Sequence, residues 1–181
     1  MRCFIGITLS NILKNELYAC AQNEFNINGI KIIPKENLHI TVKFLGDIDS
    51  NTLHKIKNLN LSVNNIDNNI NSTVGFMNVF PSYKNIKIIW VGAPGLINLL
   101  KNTDEKLSCL GFKKEKNYIP HITICRVKYI KKENKKEIVE KINKYKNTNF
   151  GNITVDKLTL FKSELSPKGA KYSILKEYSL I

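Results

Sequence analysis

The sequence has few of the residues that mark specialised classes of protein. Its 181 residues include four cysteines, two methionines and one tryptophan. No two cysteines form a C-x-x-C pair, which argues against a zinc knuckle or a thioredoxin-type redox site. We therefore expect scattered, buried free thiols. The four cysteines are Cys3, Cys20, Cys109 and Cys125.

Long apolar runs are also missing. No run approaches the roughly 18 to 20 residues that span a bilayer. The apolar start, Met1 to Leu9, is soon followed by Lys14 and Glu16, with no pattern of a signal-peptide cleavage site. With 43% hydrophobic and 24% charged residues, the composition is typical of a soluble globular protein. We therefore predict a cytoplasmic protein that does not associate with membranes.

Acidic residues are scarce, since 15 Asp and Glu stand against 28 Lys and Arg, for a formal net charge of +13. Residues 1–90 contain 9 basic and 6 acidic residues, whereas residues 91–181 contain 19 and 9. A positive surface concentrates anions. We therefore expect an anionic partner that is attracted more strongly by the second half. The alternative is that many of these lysines only keep helix faces solvated.

The order of apolar patterns and turn signals predicts strands and helices that pack as one α+β unit. No linker rich in Pro or Gly divides the chain, so we predict one compact domain over residues 1–181, built from two similar halves. Strands are predicted at 2–8, 30–33, 38–45, 73–79, 86–92, 121–127, 153–161 and 172–180, and helices at 50–61, 96–110, 133–146 and directly after Ser10. A loop is predicted at 64–71 and a turn at 166–169.

Two of the three histidines begin the same tripeptide, as His39-Ile40-Thr41 and His121-Ile122-Thr123. Residues i and i+2 of a strand point to one face, about 7 Å apart, so each His and its Thr project together while the Ile points into the core. A single His on a strand is more often structural, but the duplication favours a functional pair. The third histidine, His54, lacks the Thr and is predicted to lie on a helix surface.

A pair of histidines suits acid/base chemistry at phosphorus. With an ordinary pKa near 6.5, a neutral imidazole can take a proton from water and a protonated one can give a proton to a leaving alkoxide. Threonine hydroxyls can donate to the non-bridging phosphate oxygens. Neither motif contains Asp or Glu, so we predict no metal and no cofactor. The predicted catalytic residues are His39 and His121, and the predicted phosphate ligands are Thr41 and Thr123.

Arginine is rare, with two among the 28 basic residues. Arg126 follows His121 by five positions, and a guanidinium is a planar fork that suits phosphate. Strict alternation would point Arg126 away from the histidine, so a phosphate contact requires a bulge in the strand. Phe44 occupies the same place after His39, and we predict that it packs in the core beside Ile40.

At these residues the chain resembles the 2H phosphoesterase superfamily, named for its two H-x-T motifs, and within it the RNA 2′,3′-cyclic phosphodiesterases, also called 2′-5′ RNA ligases. Departures from the family pattern are small: Gly6 and Cys125 stand where Ala is frequent, and Ala170 where Pro is frequent. The stretches that carry the resemblance run in order along the chain: MRCFIGI from Met1, PKENLHITVKFLG from Pro34, VFP from Val79, PHITICRV from Pro120 and LFKSELSPKG from Leu160.

The resemblance implies a fold and a set of site residues. The implied fold is α+β, with two pseudo-symmetric lobes around a central cleft, each an antiparallel sheet with helices on its outer face. The implied acid and base are His39 and His121, with His121 as the base. The implied phosphate contacts are Thr41, Thr123 and Arg126.

The resemblance also implies a reaction, the metal-independent opening of a terminal 2′,3′-cyclic phosphate on RNA to leave a 2′-phosphate. Some family members join RNA ends through a 2′-5′ linkage, so ligation and hydrolysis of other cyclic phosphates stay open. The expected partner is RNA with such an end, tRNA fragments included, and we expect a monomer. The alternative is a non-catalytic RNA-binding module. Two intact H-x-T pairs argue against it, because binding alone would not need two titratable groups.

Overall fold

The computed structural model describes residues 1–62, 70–167 and 169–180. Within these ranges the chain forms nine strands and four α-helices. They are β1 (Arg2–Thr8), α1 (Asn11–Phe25), β2 (Ile30–Ile32), β3 (His39–Asp47), α2 (Ser50–Lys57), β4 (Ile70–Ser82), β5 (Asn85–Gly92), α3 (Ile97–Ser108), β6 (His121–Val127), α4 (Lys135–Lys144), β7 (Asn149–Val155), β8 (Lys157–Ser166) and β9 (Gly169–Ser179).

Two predicted loops fall partly outside the described residues. Positions 64–69 of the predicted loop at 64–71 lie outside them, while Ile70 and Asn71 begin β4. Lys168 of the predicted turn at 166–169 also lies outside. On either side of it, the Ser166 hydroxyl donates to the carbonyl oxygen of Gly169 at 2.8 Å, which closes the connection between β8 and β9.

The strands form one antiparallel sheet in the order β7-β4-β5-β6-β3-β1-β8-β9. One edge of β6 is shared, because β2 pairs with residues 125–127 and β3 meets β6 through the residue pair Ile40 and Ile122. This single pair divides the sheet into two lobes. One lobe contains β3, β1, β8 and β9, and the other contains β7, β4, β5 and β6 with β2.

The first helix, α1, packs against the sheet through one apolar stripe. The Ser10 hydroxyl accepts a hydrogen bond from the backbone N–H of Leu13 at 3.3 Å, which satisfies one of the free donors at the helix start. Leu13, Leu17, Ala21 and Phe25 follow at intervals of four and are all buried. This stripe packs α1 against β2, β6 and β7.

The other helices cover both lobes. α4 packs against β4 and α3 packs against β3. α2 lies against β9, where the Tyr178 hydroxyl donates to the carbonyl oxygen of Ile56 at 2.9 Å. The predicted α+β fold, with two antiparallel lobes and helices outside, is therefore confirmed. No helix in the described parts of the chain is long and apolar enough to cross a membrane.

The single strand predicted at 153–161 is wrong. The chain breaks at Asp156, whose carbonyl oxygen accepts a hydrogen bond from the N–H of Leu180 at 2.9 Å. β7, before the break, pairs with β4, whereas β8, after it, pairs with β1 in the other lobe. Apolar and β-branched residues continue on both sides of Asp156, so local propensity gives little sign of the break.

The cysteine prediction is correct only in part. All four are free thiols, but only Cys3 and Cys125 are buried, whereas Cys20 is half-buried and Cys109 is exposed. Burial raises the pKa of the Cys20 thiol to about 11.

A buried ion pair connects β3 to the segment that precedes β6. The Lys43 Nζ lies 2.6 Å from Oδ1 of Asp104 in α3 and 3.1 Å from Oε1 of Glu115. The other oxygen of Asp104 accepts hydrogen bonds from the N–H of Glu115 and the hydroxyl of Tyr118, both at 2.7 Å. Lys43 and Asp104 are 4% and 1% exposed. This network fixes the chain three residues before His121 to the strand that carries His39.

The contacts between Lys43 and Asp104 favour the charged forms of both side chains. Burial alone would raise the pKa of Asp104, but the hydrogen bonds from Lys43, Glu115 and Tyr118 outweigh it and lower the pKa below its ordinary value of 3.8. Burial would lower the pKa of Lys43, and its two carboxylate partners raise it instead. Asp104 therefore contributes stability that is present above pH 3.8 and is lost as the pH falls through its folded pKa.

We expect Lys43→Met to lower the free energy of unfolding by about 3 to 5 kcal/mol at neutral pH, because it leaves the Asp104 carboxylate buried without a cation. Urea denaturation measures this loss. The deficit should shrink as the pH falls from 7 towards 4, because the unpaired carboxylate can then be protonated. Lys136→Met is the matched control, since it removes an exposed partner of Glu140, and should cost within about 0.5 kcal/mol. Equal costs for the two variants would contradict the prediction.

Candidate active site

Both H-x-T strands contain a β-bulge at the same place. In β3, Thr41 pairs with Gly6 and Lys43 pairs with Ile5, so Val42 is an extra residue. In β6, Thr123 pairs with Trp90 and Cys125 pairs with Ile89, so Ile124 is the extra residue. Positions 39–45 and 121–127 consequently share one burial pattern, in which two successive buried residues follow the threonine and an exposed residue comes next.

The bulge reverses the side-chain alternation and decides the positions of two residues. Arg126 returns to the face of His121 and lines the same cleft, so the bulge that the sequence argument required is present. Phe44 returns in the same way beside His39. Its side chain is 63% exposed and lines the cleft, so the predicted core packing beside Ile40 is wrong.

A cleft of about 460 Å³ lies where β3 and β6 meet. Ile40 and Ile122, the pair that joins the strands, are fully buried, so the residues on either side of each project to the cleft face. The antiparallel direction brings Thr41 to the side of His121 and His39 to the side of Thr123. All five residues proposed from the sequence line this cleft: His39, Thr41, His121, Thr123 and Arg126.

The rings of the two histidines are held in the same manner. Nδ1 of His39 lies 2.7 Å from the carbonyl oxygen of Asn37, and Nδ1 of His121 lies 2.7 Å from that of Ile119. A carbonyl oxygen only accepts, so each Nδ1 carries the proton and donates it. The neutral histidines therefore have an unprotonated Nε2, which is the nitrogen free to exchange a proton with a bound molecule.

The two sites differ at Nε2. In the first motif, Nε2 of His39 lies 3.0 Å from the hydroxyl oxygen of Thr41. A neutral His39 accepts a hydrogen bond from this hydroxyl, and a protonated one donates to it. The Thr41 hydroxyl can therefore hold His39 in either protonation state, which suits a residue that gains and loses a proton.

Aromatic rings surround both imidazoles. The ring centroids of Phe4 and Tyr172 lie 4.9 Å and 5.2 Å from that of His39. In the other lobe, Phe80 and Trp90 lie 5.0 Å and 5.6 Å from His121. These rings fix the plane of each imidazole and remove water from it. No feature of the sequence alone predicted that these rings pack against the histidines.

This apolar surrounding shifts the charge state of the histidines. Burial lowers the pKa of His39 below its ordinary value of 6.5, opposed by the hydrogen bond to Asn37 and reinforced by the positive charges of His121, Lys14 and Arg126. Burial likewise lowers the pKa of His121, opposed by the hydrogen bond to Ile119. The free site therefore favours neutral imidazoles, and a bound anion would favour the protonated form.

The groups that orient the histidines are backbone carbonyls, which no residue type reveals in a sequence. Asn37 has a second contact, since its side-chain Nδ2 donates to the carbonyl oxygen of Ala170 at 2.8 Å and so holds the β8–β9 hairpin against the cleft. His54, in contrast, is exposed on α2 as predicted, and its Nε2 contacts Nδ2 of Asn58 at 2.9 Å.

Solved structures share this fold. A crystal structure of a Thermus thermophilus protein superimposes with a TM-score of 0.76 at 23% identity, covering 99% of this chain and 98% of the other. Escherichia coli LigT complexed with 3′-AMP gives a TM-score of 0.75 at 20% identity, with 99% and 97% covered. The architecture is thus that of a known class of two-lobed proteins that includes LigT.

Sequence comparison identifies the family within that class. The model of the LigT-like phosphoesterase family matches residues 13–90 and 91–172. A protein of Methanocaldococcus jannaschii named RNA 2′,3′-cyclic phosphodiesterase is 44% identical over 98% of this chain and all of its own length. One of the same name from Aquifex aeolicus is 32% identical, over 99% of this chain and 97% of its own. The chain belongs to the LigT-like phosphoesterase family.

The geometry predicts the tautomer and the titration of both histidines. We expect neutral His39 and His121 to be Nδ1–H tautomers in ¹H–¹⁵N spectra, because each Nδ1 donates to a carbonyl oxygen. Both should titrate with pKa values below 6.5, because burial disfavours the charged ring. His39→Gln and His121→Gln assign the resonances. An Nε2–H tautomer or a pKa above 6.5 at either histidine would contradict this geometry.

Proposed function

We propose that this protein hydrolyses a terminal 2′,3′-cyclic phosphate on RNA to a 2′-phosphate, with His39 and His121 as general acid and base. The observation that carries the proposal is the convergence of both H-x-T pairs on one cleft, where each histidine is held through Nδ1 and its Nε2 is the nitrogen that can exchange a proton. The names of the relatives from Methanocaldococcus jannaschii and Aquifex aeolicus support the substrate class.

The proposed step is an in-line displacement at phosphorus. Nε2 of neutral His121 takes a proton from water as the water oxygen forms its bond to phosphorus. The bond from phosphorus to the 3′-oxygen breaks, and protonated His39 gives its Nε2 proton to that oxygen. The cyclic diester becomes a 2′-phosphomonoester, and the next cycle requires His121 to lose its proton and His39 to regain one. Because the two motifs are nearly symmetric, the natural alternative is that His39 is the base and His121 the acid.

The remaining cleft groups would stabilise the transition state. The hydroxyls of Thr41 and Thr123 can donate to the non-bridging oxygens, and the Arg126 guanidinium can bind the charge that develops there. In the described ranges, no three His, Cys, Asp or Glu side chains gather as a metal site. We therefore propose a reaction carried by side chains, in which a 5′-hydroxyl in place of water would give 2′-5′ ligation. We further propose that the chain acts as a single-domain, cytoplasmic monomer.

Removing either histidine tests the assignment. We expect His39→Ala and His121→Ala each to lower kcat for a nucleoside 2′,3′-cyclic phosphate by about 10² to 10⁴, because each loses one proton-transfer group. Chromatography of the product, a 2′-phosphate, in buffer with EDTA measures the rate. His54→Ala is the matched control and should retain wild-type turnover. Full activity of His39→Ala, or loss of wild-type activity in EDTA, would refute the mechanism. RNA binding without any turnover would favour the non-catalytic module.

The pH dependence follows from the lowered pKa values. The free enzyme is active when one histidine is neutral and the other protonated, so kcat/KM should be bell-shaped between two pKa values that both lie below 6.5. A bound phosphate raises both pKa values, so the optimum of kcat should lie at higher pH than that of kcat/KM. Steady-state kinetics from pH 4 to 9 distinguish these profiles. An optimum of kcat/KM above pH 6.5 would contradict the lowered pKa values of the two histidines.

A further inference from the structure

Three cationic side chains line the cleft, namely Arg2, Lys31 and Arg126, and the lining includes no Asp or Glu among the described residues. Arg2 and Arg126 are the only two arginines of the chain, and the rest of its 28 basic residues are lysines. Both arginines therefore line this cleft, where their planar guanidinium groups can bind phosphate. The excess of positive charge in residues 91–181 does not predict which cations line the cleft, because two of the three, Arg2 and Lys31, lie in residues 1–90.

These cations have no carboxylate partner in the parts of the chain that the structure describes. Some lysines elsewhere have one, as in the pairs of Lys141 with Glu137 at 2.7 Å and Lys157 with Glu177 at 2.8 Å, but many other described lysines have none, since the chain has 28 basic and 15 acidic residues. Like charges that line one cleft repel each other, and an anionic ligand would remove this cost. The cleft lining therefore carries a net positive charge, which an anionic ligand can neutralise.

The register of the strands points Lys31 into the cleft beside Arg126. The two residues are direct partners between β2 and β6, and direct antiparallel partners project to the same face. The Lys31 Nζ lies 3.7 Å from the place where a Cβ on Gly169 would stand, so the amine reaches the start of β9 across the cleft.

Arg2 approaches from the other lobe. It precedes Phe4 by two positions on β1, and Phe4 contacts the ring of His39, so Arg2 projects to the same face of the sheet. Arg2, Arg126 and Tyr172 line the same cleft, and the charges of the two arginines oppose the burial that raises the pKa of the Tyr172 hydroxyl. Tyr172 in turn packs against His39 at 5.2 Å. The cations thus lie around the position of the proposed reacting phosphate.

One cyclic phosphate carries one negative charge, and the threonine hydroxyls and Arg126 already suffice for it. Arg2 and Lys31 have no part in the proposed chemistry. A mononucleotide substrate would leave them unpaired, whereas an RNA chain brings a second phosphate one nucleotide away from the first.

We propose that Arg2 and Lys31 form a second phosphate site, which binds the phosphodiester on the 5′ side of the terminal nucleotide. The protein then selects oligoribonucleotide ends over cyclic mononucleotides. This inference rests on the proposed function, because it assumes that a terminal cyclic phosphate occupies the histidine site.

A pair of dinucleotides that both end in a 2′,3′-cyclic phosphate tests the site. One has an ordinary phosphodiester linkage and the other a neutral methylphosphonate linkage, so they differ at the linkage alone. We expect wild-type kcat/KM to be at least about tenfold higher for the charged linkage, because charge-assisted contacts are lost in the other. Arg2→Gln and Lys31→Gln should each lower this ratio about three- to tenfold, and added NaCl should lower it in the wild type.

Lys136→Gln is the matched control, since Lys136 is 89% exposed on α4, outside the cleft lining, and should leave the ratio unchanged. A wild-type ratio near one, or a ratio that neither cleft variant changes, would overturn the second phosphate site while hydrolysis of the cyclic phosphate continues. No hydrolysis of either dinucleotide would instead refute the proposed function. The wild-type ratio needs no variant, so the test stands even if a substitution impairs folding.

Discussion

The contact between Ile40 and Ile122 determines the geometry of the cleft. Each isoleucine is the middle residue of an H-x-T motif, and the pair is the junction between β3 and β6. Because both side chains are buried on one face, the histidines and threonines beside them must project to the other. The pairing of Ile40 with Ile122 thus has two consequences: it forms a contact in the core, and it brings the two histidines and two threonines together in the cleft. A shift of one residue in either strand would bury the polar groups.

The matched bulges extend this arrangement. Val42 and Ile124 each add one residue at equivalent places, so Phe44 and Arg126 rejoin the cleft face. The two bulges lie at equivalent places in the backbone, but the side chains that they reorient differ. At these two equivalent positions, one lobe presents an exposed ring and the other a cation. A substrate with a base and a phosphate could use such a difference for its orientation.

Burial and charge oppose each other throughout the site. The aromatic rings that hold His39 and His121 also lower their pKa values, and Arg126 lowers that of His39 further. An anion between them would reverse the shift, so the acid would become protonated when substrate binds. Away from the cleft, the chain pairs its buried cation, as Lys43 with Asp104 shows. Arg2, Lys31 and Arg126 are instead exposed, and all three line the cleft.

The sequence alone was enough to predict that the histidines and threonines of the two H-x-T motifs share one face of their strands, and where most strands lie, because alternation along a strand is a local property of the residue types. It left Arg126 dependent on a bulge and misplaced Phe44, because the extra residue in each strand is set by pairing with β1 and β5 rather than by local propensity. It also missed the break at Asp156 and the partners Asn37 and Ile119. A break between two sheet lobes and a hydrogen bond to a backbone carbonyl depend on residues far apart in the chain, so only the tertiary structure could decide them.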